Sequence, residues 1–148
     1  MLLHRCRGMN MTIYIEDLKV GQSGEYSHQV TEKDINAFAD ISGDRNPVHL
    51  DEEFAKTTFF AGRIAHGMLS AGYISTVLGT IMPGPGSIYL SQTLRFKAPV
   101  RIGDNVTAKV TVQEIDAAKK RVKFETVCLV GGKAVIEGEA LIMVPSRG

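Results

Sequence analysis

His66 to Met82 runs for 17 residues without Asp, Glu, Lys or Arg, and no other feature of the chain restricts its fold so much. A helix that is apolar on all sides must be covered on all sides. A bilayer is one such cover, but 17 residues is the short end of the spanning range, and His66, Ser70, Ser75, Thr76 and Thr80 would lie in hydrocarbon. The flanking segments are amphipathic and need a globular core. The stretch therefore predicts a buried helix in a protein that meets no membrane.

The cover comes from the second half of the chain, where the pattern changes to period two. Val106, Ala108, Val110 and Val112 alternate with Thr107, Lys109, Thr111 and Gln113. Val122, Phe124, Thr126, Cys128 and Val130 alternate with a face carrying Lys123 and Glu125, and Ala134 to Val144 continues the theme. Turn residues fall at Ala98-Pro99, Gly103-Asp104, Asp116 to Lys120 and Gly131-Gly132. The pattern predicts four long strands in an antiparallel meander with one apolar face. A sheet curled around the charge-free helix would bury it on nearly every side, giving a single α+β domain. Such a sheet keeps edges and an open side, so a homodimer is expected.

Ahead of the helix, Ile13-Tyr14-Ile15 and Glu25 to Val30 read as short strands. Thr31 opens a helix with Asp34 as a shortened capping box, and Ile35, Phe38 and Ala39 form its apolar face. Gly43 closes it. Asp51 to Lys56 suits a second, short helix with acids in its first turn.

Between these helices lies Asp44-Arg45-Asn46-Pro47-Val48-His49. On a helix, residues five apart point about 140° away from each other. Gly43 and Pro47 predict a bent, non-helical loop instead, which can turn Asp44 and His49 to one side around a single water. That pairing suits general acid/base chemistry on a small polar molecule, with the roles of the two groups open. If His66-Gly67 begins the buried helix, its first N–H groups lack intrahelical partners and carry the positive end of the dipole. Gly67 either lets an acyl carbonyl approach its N–H or only permits close helix–sheet packing.

Composition excludes other classes. A net charge of +1 gives no electrostatic case for nucleic acid or membrane binding. Cys6 and Cys128 have no CxxC neighbour, so a cytoplasmic protein with incidental thiols is expected. His4, His28, His49 and His66 have no metal-ligand spacing, and Gly84-Pro85-Gly86 is no phosphate loop. Residues 1–10 fit the rest poorly. They read as disordered or as an upstream start, with a short mitochondrial presequence left open and the domain running over 11–148.

Ser42-Gly43-Asp44-Arg45-Asn46-Pro47-Val48-His49, followed by Phe60-Ala61-Gly62-Arg63-Ile64-Ala65-His66-Gly67-Met68-Leu69, resembles the signature of the (R)-specific enoyl-CoA hydratases. These are the hydratase-2 branch of the MaoC-like hotdog-fold proteins, and the resemblance runs from about Ile13 to Val144. It implies a hotdog domain that reversibly hydrates trans-2-enoyl-CoA to (3R)-3-hydroxyacyl-CoA. It assigns the catalytic pair to Asp44 and His49, the thioester-binding amide to Gly67 and an acyl-pocket polar group to Ser75. Asn46 is expected to orient the loop. His66 either orients the helix start or contacts substrate. Lys97, with Arg95 and Arg101, either meets the phosphates of coenzyme A or is solvated. Coenzyme A enters as part of the substrate and no cofactor is expected. Two alternatives are a hotdog acyl-CoA thioesterase and a non-catalytic acyl-CoA-binding partner subunit. The first resembles enzymes with a carboxylate on or just before the central helix, and His66 to Met82 has none. The second would be expected to lack the Asp or the His.

Overall fold

A computed structural model describes residues 12–148, so the expectations for residues 1–10, including His4 and Cys6, lie outside the described residues. Its centre is a six-stranded antiparallel sheet in the order β1-β4-β5-β6-β2, with β3 also pairing β6. The strands are β1 (Ser23–Gln29), β2 (Ile88–Gln92), β3 (Arg95–Phe96), β4 (Asn105–Asp116), β5 (Arg121–Val130) and β6 (Lys133–Met143). The helices are α1 (Glu32–Ser42), α2 (Pro47–Leu50), α3 (Glu52–Ala55) and α4 (Gly67–Thr76).

The period-two pattern builds the core. Val106, Ala108, Val110 and Val112 of β4 and Val122, Phe124 and Cys128 of β5 are buried on one face against Ile74, Val77 and Leu78. Each large side chain sealed there contributes roughly 1.5–3 kcal/mol. Instead of four long strands there are three, β4 to β6. The stretch between Gly86 and Pro99 forms two short strands on β6, with a register shift inside β2 between Tyr89 and Ser91 and a break in strand structure at Thr93-Leu94. Gly138 of β6 then admits the Thr93 carbonyl, which lies 1.9 Å from where a Cβ would sit.

α1 begins as expected. Asp34 N–H donates to Thr31 Oγ1 while Thr31 N–H donates to Asp34 Oδ2, and Gly43 ends the helix at φ 79°. Ile13 to Ile15 is not a strand. Ile13 and Ile15 donate to the carbonyls of Pro83 and Pro145, and prolines have no N–H to return for a ladder. A 3-10 turn over Ile15–Asp17 follows.

The charge-free segment is helical to Thr76 and continues as a widened π turn over Val77–Ile81. The hydroxyls of Thr76 and Thr80 donate to the carbonyls of Gly72 and Thr76, which compete for the helical acceptors at that point. One face of α4 packs on the sheet. A single layer cannot close around a helix, and the opposite face, with Met68, Gly72, Ser75 and Gly79 at i, i+4, i+7 and i+11, remains exposed.

Candidate active site

Pro47 was expected to keep its segment from being helical, yet α2 starts at Pro47. The first helical position needs no N–H donor, and the fixed φ of proline suits it. Asn46 caps the turn, its Oδ1 accepting Val48 N–H at 3.2 Å. His49 therefore stands on one helical turn, buried, while Asp44 lies in the preceding loop and is exposed. Asp44 N–H donates to Ser42 Oγ at 3.1 Å, and Asp44 Oδ1 accepts Asn46 N–H at 3.2 Å.

His49 Nδ1 lies 2.8 Å from the Ile64 carbonyl. A carbonyl only accepts, so Nδ1 carries the proton and the neutral ring leaves Nε2 bare. Burial pushes His49 below the ordinary imidazole range, and the nearby His66 adds to this; the Ile64 hydrogen bond and the Asp44 charge oppose it. His66 Nε2 donates to the Asp44 carbonyl at 2.9 Å, and the two imidazoles stack with centroids 3.9 Å apart and planes at 29°. Asp44, His49 and His66 each bring one ligating atom within 4.8 Å of the others. Linear spacing gave no hint of this trio, because His66 arrives from a different element. Stacked rings hold their lone pairs in nearly parallel planes, and each ring has committed one nitrogen to a carbonyl. The cluster suits a water and a proton better than a metal ion.

His49 lines a cavity of about 450 Å³ together with Gly67, Met68, Ser70, Phe96 and Lys97. Gly67 is the first residue of α4. Leu69 N–H donates back to the His66 carbonyl at 3.1 Å, whereas no acceptor among the described residues serves the N–H of Gly67 or Met68. The glycine also lies close under the Phe96 ring: a Cβ would sit 2.5 Å from Phe96 Cε1, and the ring would have to move. Gly67 thus has both a closely packed Cα and an N–H without an acceptor among the described residues.

The remaining expected residues divide. Asn46 is spent on capping α2, and His66 ties α4 to the Asp44 loop without lining the cavity. Ser75 is exposed and does not line it either; five positions from Ser70, it sits about 140° around the helix. Lys97 is exposed at the cavity, but Arg101 is engaged, its Nη2 donating to the Phe60 carbonyl at 2.6 Å. Sequence reasoning missed Ser70 and Phe96, both of which line the cavity. The Ser70 hydroxyl is buried and has no hydrogen-bond partner among the described residues. No helix among the described residues is long and apolar enough to cross a membrane, and Cys128 is a buried free thiol.

Comparison with known proteins gives concordant matches. The profile of the MaoC like domain matches residues 17–137. An (R)-specific enoyl-CoA hydratase of Rhodospirillum rubrum is 60% identical over 135 residues, covering 91% of this chain and 94% of that protein. A 3-hydroxybutyryl-CoA dehydratase of Methylorubrum extorquens is 50% identical, covering 91% of this chain and 86% of that one. Among solved structures, the unliganded R-hydratase PhaJ1 of Pseudomonas aeruginosa superposes with a TM-score of 0.87 at 49% identity, covering 92% of this chain and 88% of that one.

Proposed function

Because the chain belongs to the MaoC-like domain family, we propose that it is an (R)-specific enoyl-CoA hydratase. It adds water reversibly to a trans-2-enoyl-CoA and yields the (3R)-3-hydroxyacyl-CoA. The observation that carries this reading is a buried His49 with a bare Nε2, lining the cavity and clustered with the Asp44 carboxylate.

The water sits between Asp44 and His49 and donates to both. As its oxygen attacks C3, one of its protons passes to His49, and Asp44 balances the imidazolium. The proton then moves to C2 from the same side, so addition is syn and both groups return to their starting states. Gly67 N–H donates to the thioester carbonyl and stabilises the enolate that forms on the way, an effect typically worth ~3–4 kcal/mol of barrier. Asn46 keeps the His49 turn in place, and His66 fixes the Asp44 loop against α4. Lys97, at the cavity, is suited to a coenzyme A phosphate. These steps use only the substrate, its coenzyme A and water.

The exposed face of α4 and the exposed Ile88, Tyr89 and Leu90 of β2 support a homodimer, in which Ser75 faces the second subunit. The buried free thiol of Cys128 fits a reducing, cytoplasmic setting.

The test is hydration of crotonyl-CoA, followed by loss of the enoyl-thioester absorbance and chiral analysis of the product. The expected product is (3R)-3-hydroxybutyryl-CoA. An (S) product, or release of free thiol in place of hydration, would overturn the reading.

A further inference from the structure

This inference rests on His49 acting as the base proposed above. His49 stands on a helix of only four residues, which has little stability of its own. The carbonyls at its end have no intrahelical acceptor role to fill and need outside donors. In this chain one dipeptide, Arg63-Ile64, serves the turn on both its backbone and its catalytic ring. Ile64 N–H donates to the Val48 carbonyl at 3.3 Å, and Arg63 Nε donates to the His49 carbonyl at 2.7 Å. The Ile64 carbonyl accepts His49 Nδ1–H at 2.8 Å.

Arg63 also joins the surrounding elements. Its Nη1 donates to Glu32 Oε1 in the first turn of α1 at 2.9 Å, and its backbone N–H donates to Glu52 Oε2 of α3 at 3.2 Å. The Arg63 side chain is only 11% exposed, whereas that of Glu32 is 64% exposed. An ion pair with so exposed a carboxylate is worth little. The burial of the guanidinium makes sense as delivery of a charged donor to the His49 carbonyl. Only a planar fork can serve that carbonyl through Nε and α1 through Nη1 at once; a lysine ammonium has one donor centre.

We propose that Arg63 is a positioning residue for the hydration reaction. It fixes α2 so that His49 Nδ1 stays on the Ile64 carbonyl and the bare Nε2 faces the cavity.

Arg63→Ala and Arg63→Lys test this. With crotonyl-CoA, kcat should fall about tenfold to a hundredfold, the loss expected when a catalytic group is misplaced by a fraction of an ångström to 1 Å. KM should stay within about twofold. Methylguanidinium should restore part of the Arg63→Ala rate, and methylammonium should not. The ¹⁵N shifts of the His49 ring should report the Nδ1–H tautomer in the wild type and an admixture of Nε2–H in both variants. If Arg63→Ala fails to fold, Arg63→Lys carries the same kcat and tautomer readings. Unchanged kcat, or a loss of rate with an unchanged tautomer, would overturn the proposal. Should the wild type not hydrate crotonyl-CoA, the functional reading fails by itself, and the tautomer measurement still judges the clamp.

Discussion

Burying an imidazole has a chemical consequence that exposure would not give. Taking His49 out of water disfavours its charged form, so its pKa falls below the ordinary value of about 6.5 and the ring is neutral near pH 7. A base must be unprotonated to act, and His49 becomes protonated only as pH drops through this lowered value. The acid limb of kcat/KM should therefore lie below pH 6.5, and a pH–rate profile checks it. A limb at or above 6.5 would assign the base elsewhere. Asp44→Asn and His49→Ala should each lower the hydration rate by ~10²–10⁴ with circular dichroism unchanged. Near wild-type turnover by either would remove that residue from the mechanism. That Asp44 and His49 come together was legible in the sequence, because both sit in one short bend around Pro47. Arg63 was not, since its partner is a backbone carbonyl 14 positions away and carbonyls leave no mark in a sequence.

At the scale of elements, local signals were read well where one residue type settles the matter. Thr31 with Asp34 starts α1 and Gly43 ends it, and the alternation of β4 and β5 states which face is buried. Elements whose existence depends on a distant partner were misread. Ile13 to Ile15 has strand residues but meets prolines, whereas Pro47 misleads for a local reason, since a proline that breaks a helix interior suits its first position. The contact of α4 with β3, too, depends on a distant partner. Phe96 fills the space beside Gly67, so Gly67→Ala must push the ring or the helix start away. Overpacking a closed core costs about 1–3 kcal/mol, but Phe96 is 55% exposed and its ring can give way, so the cost here is smaller and is offset by the gain of up to ~1 kcal/mol from replacing a helical glycine. Denaturant melts should show Gly67→Ala more favourable in the Phe96→Ala background than in the wild type. The double-mutant cycle measures the coupling, and additive effects would mean that the ring does not meet the new methyl.

For the molecule as a whole, the sequence was right that α4 needs cover and that one sheet leaves a side of it open. Met68 is 55% exposed, Ile88 53% and Phe96 55%, apolar area that a monomer would leave in water. Beyond Met68, the stripe of Gly72, Ser75 and Gly79 presents little side-chain bulk, so a second copy can approach it closely. If that face is the dimer contact, filling it should separate the subunits without harming either one. Gly72 and Gly79 are suitable places, because a Cβ at either would meet nothing within 4 Å in the single chain. Arginine there adds bulk and charge on the outside while leaving the core untouched. Sedimentation velocity should give a dimer for the wild type and mainly monomer for Gly72→Arg and Gly79→Arg, with far-UV circular dichroism unchanged. Variants that remain dimeric would move the contact away from α4, leaving the exposed edge of β2 to pair the two sheets.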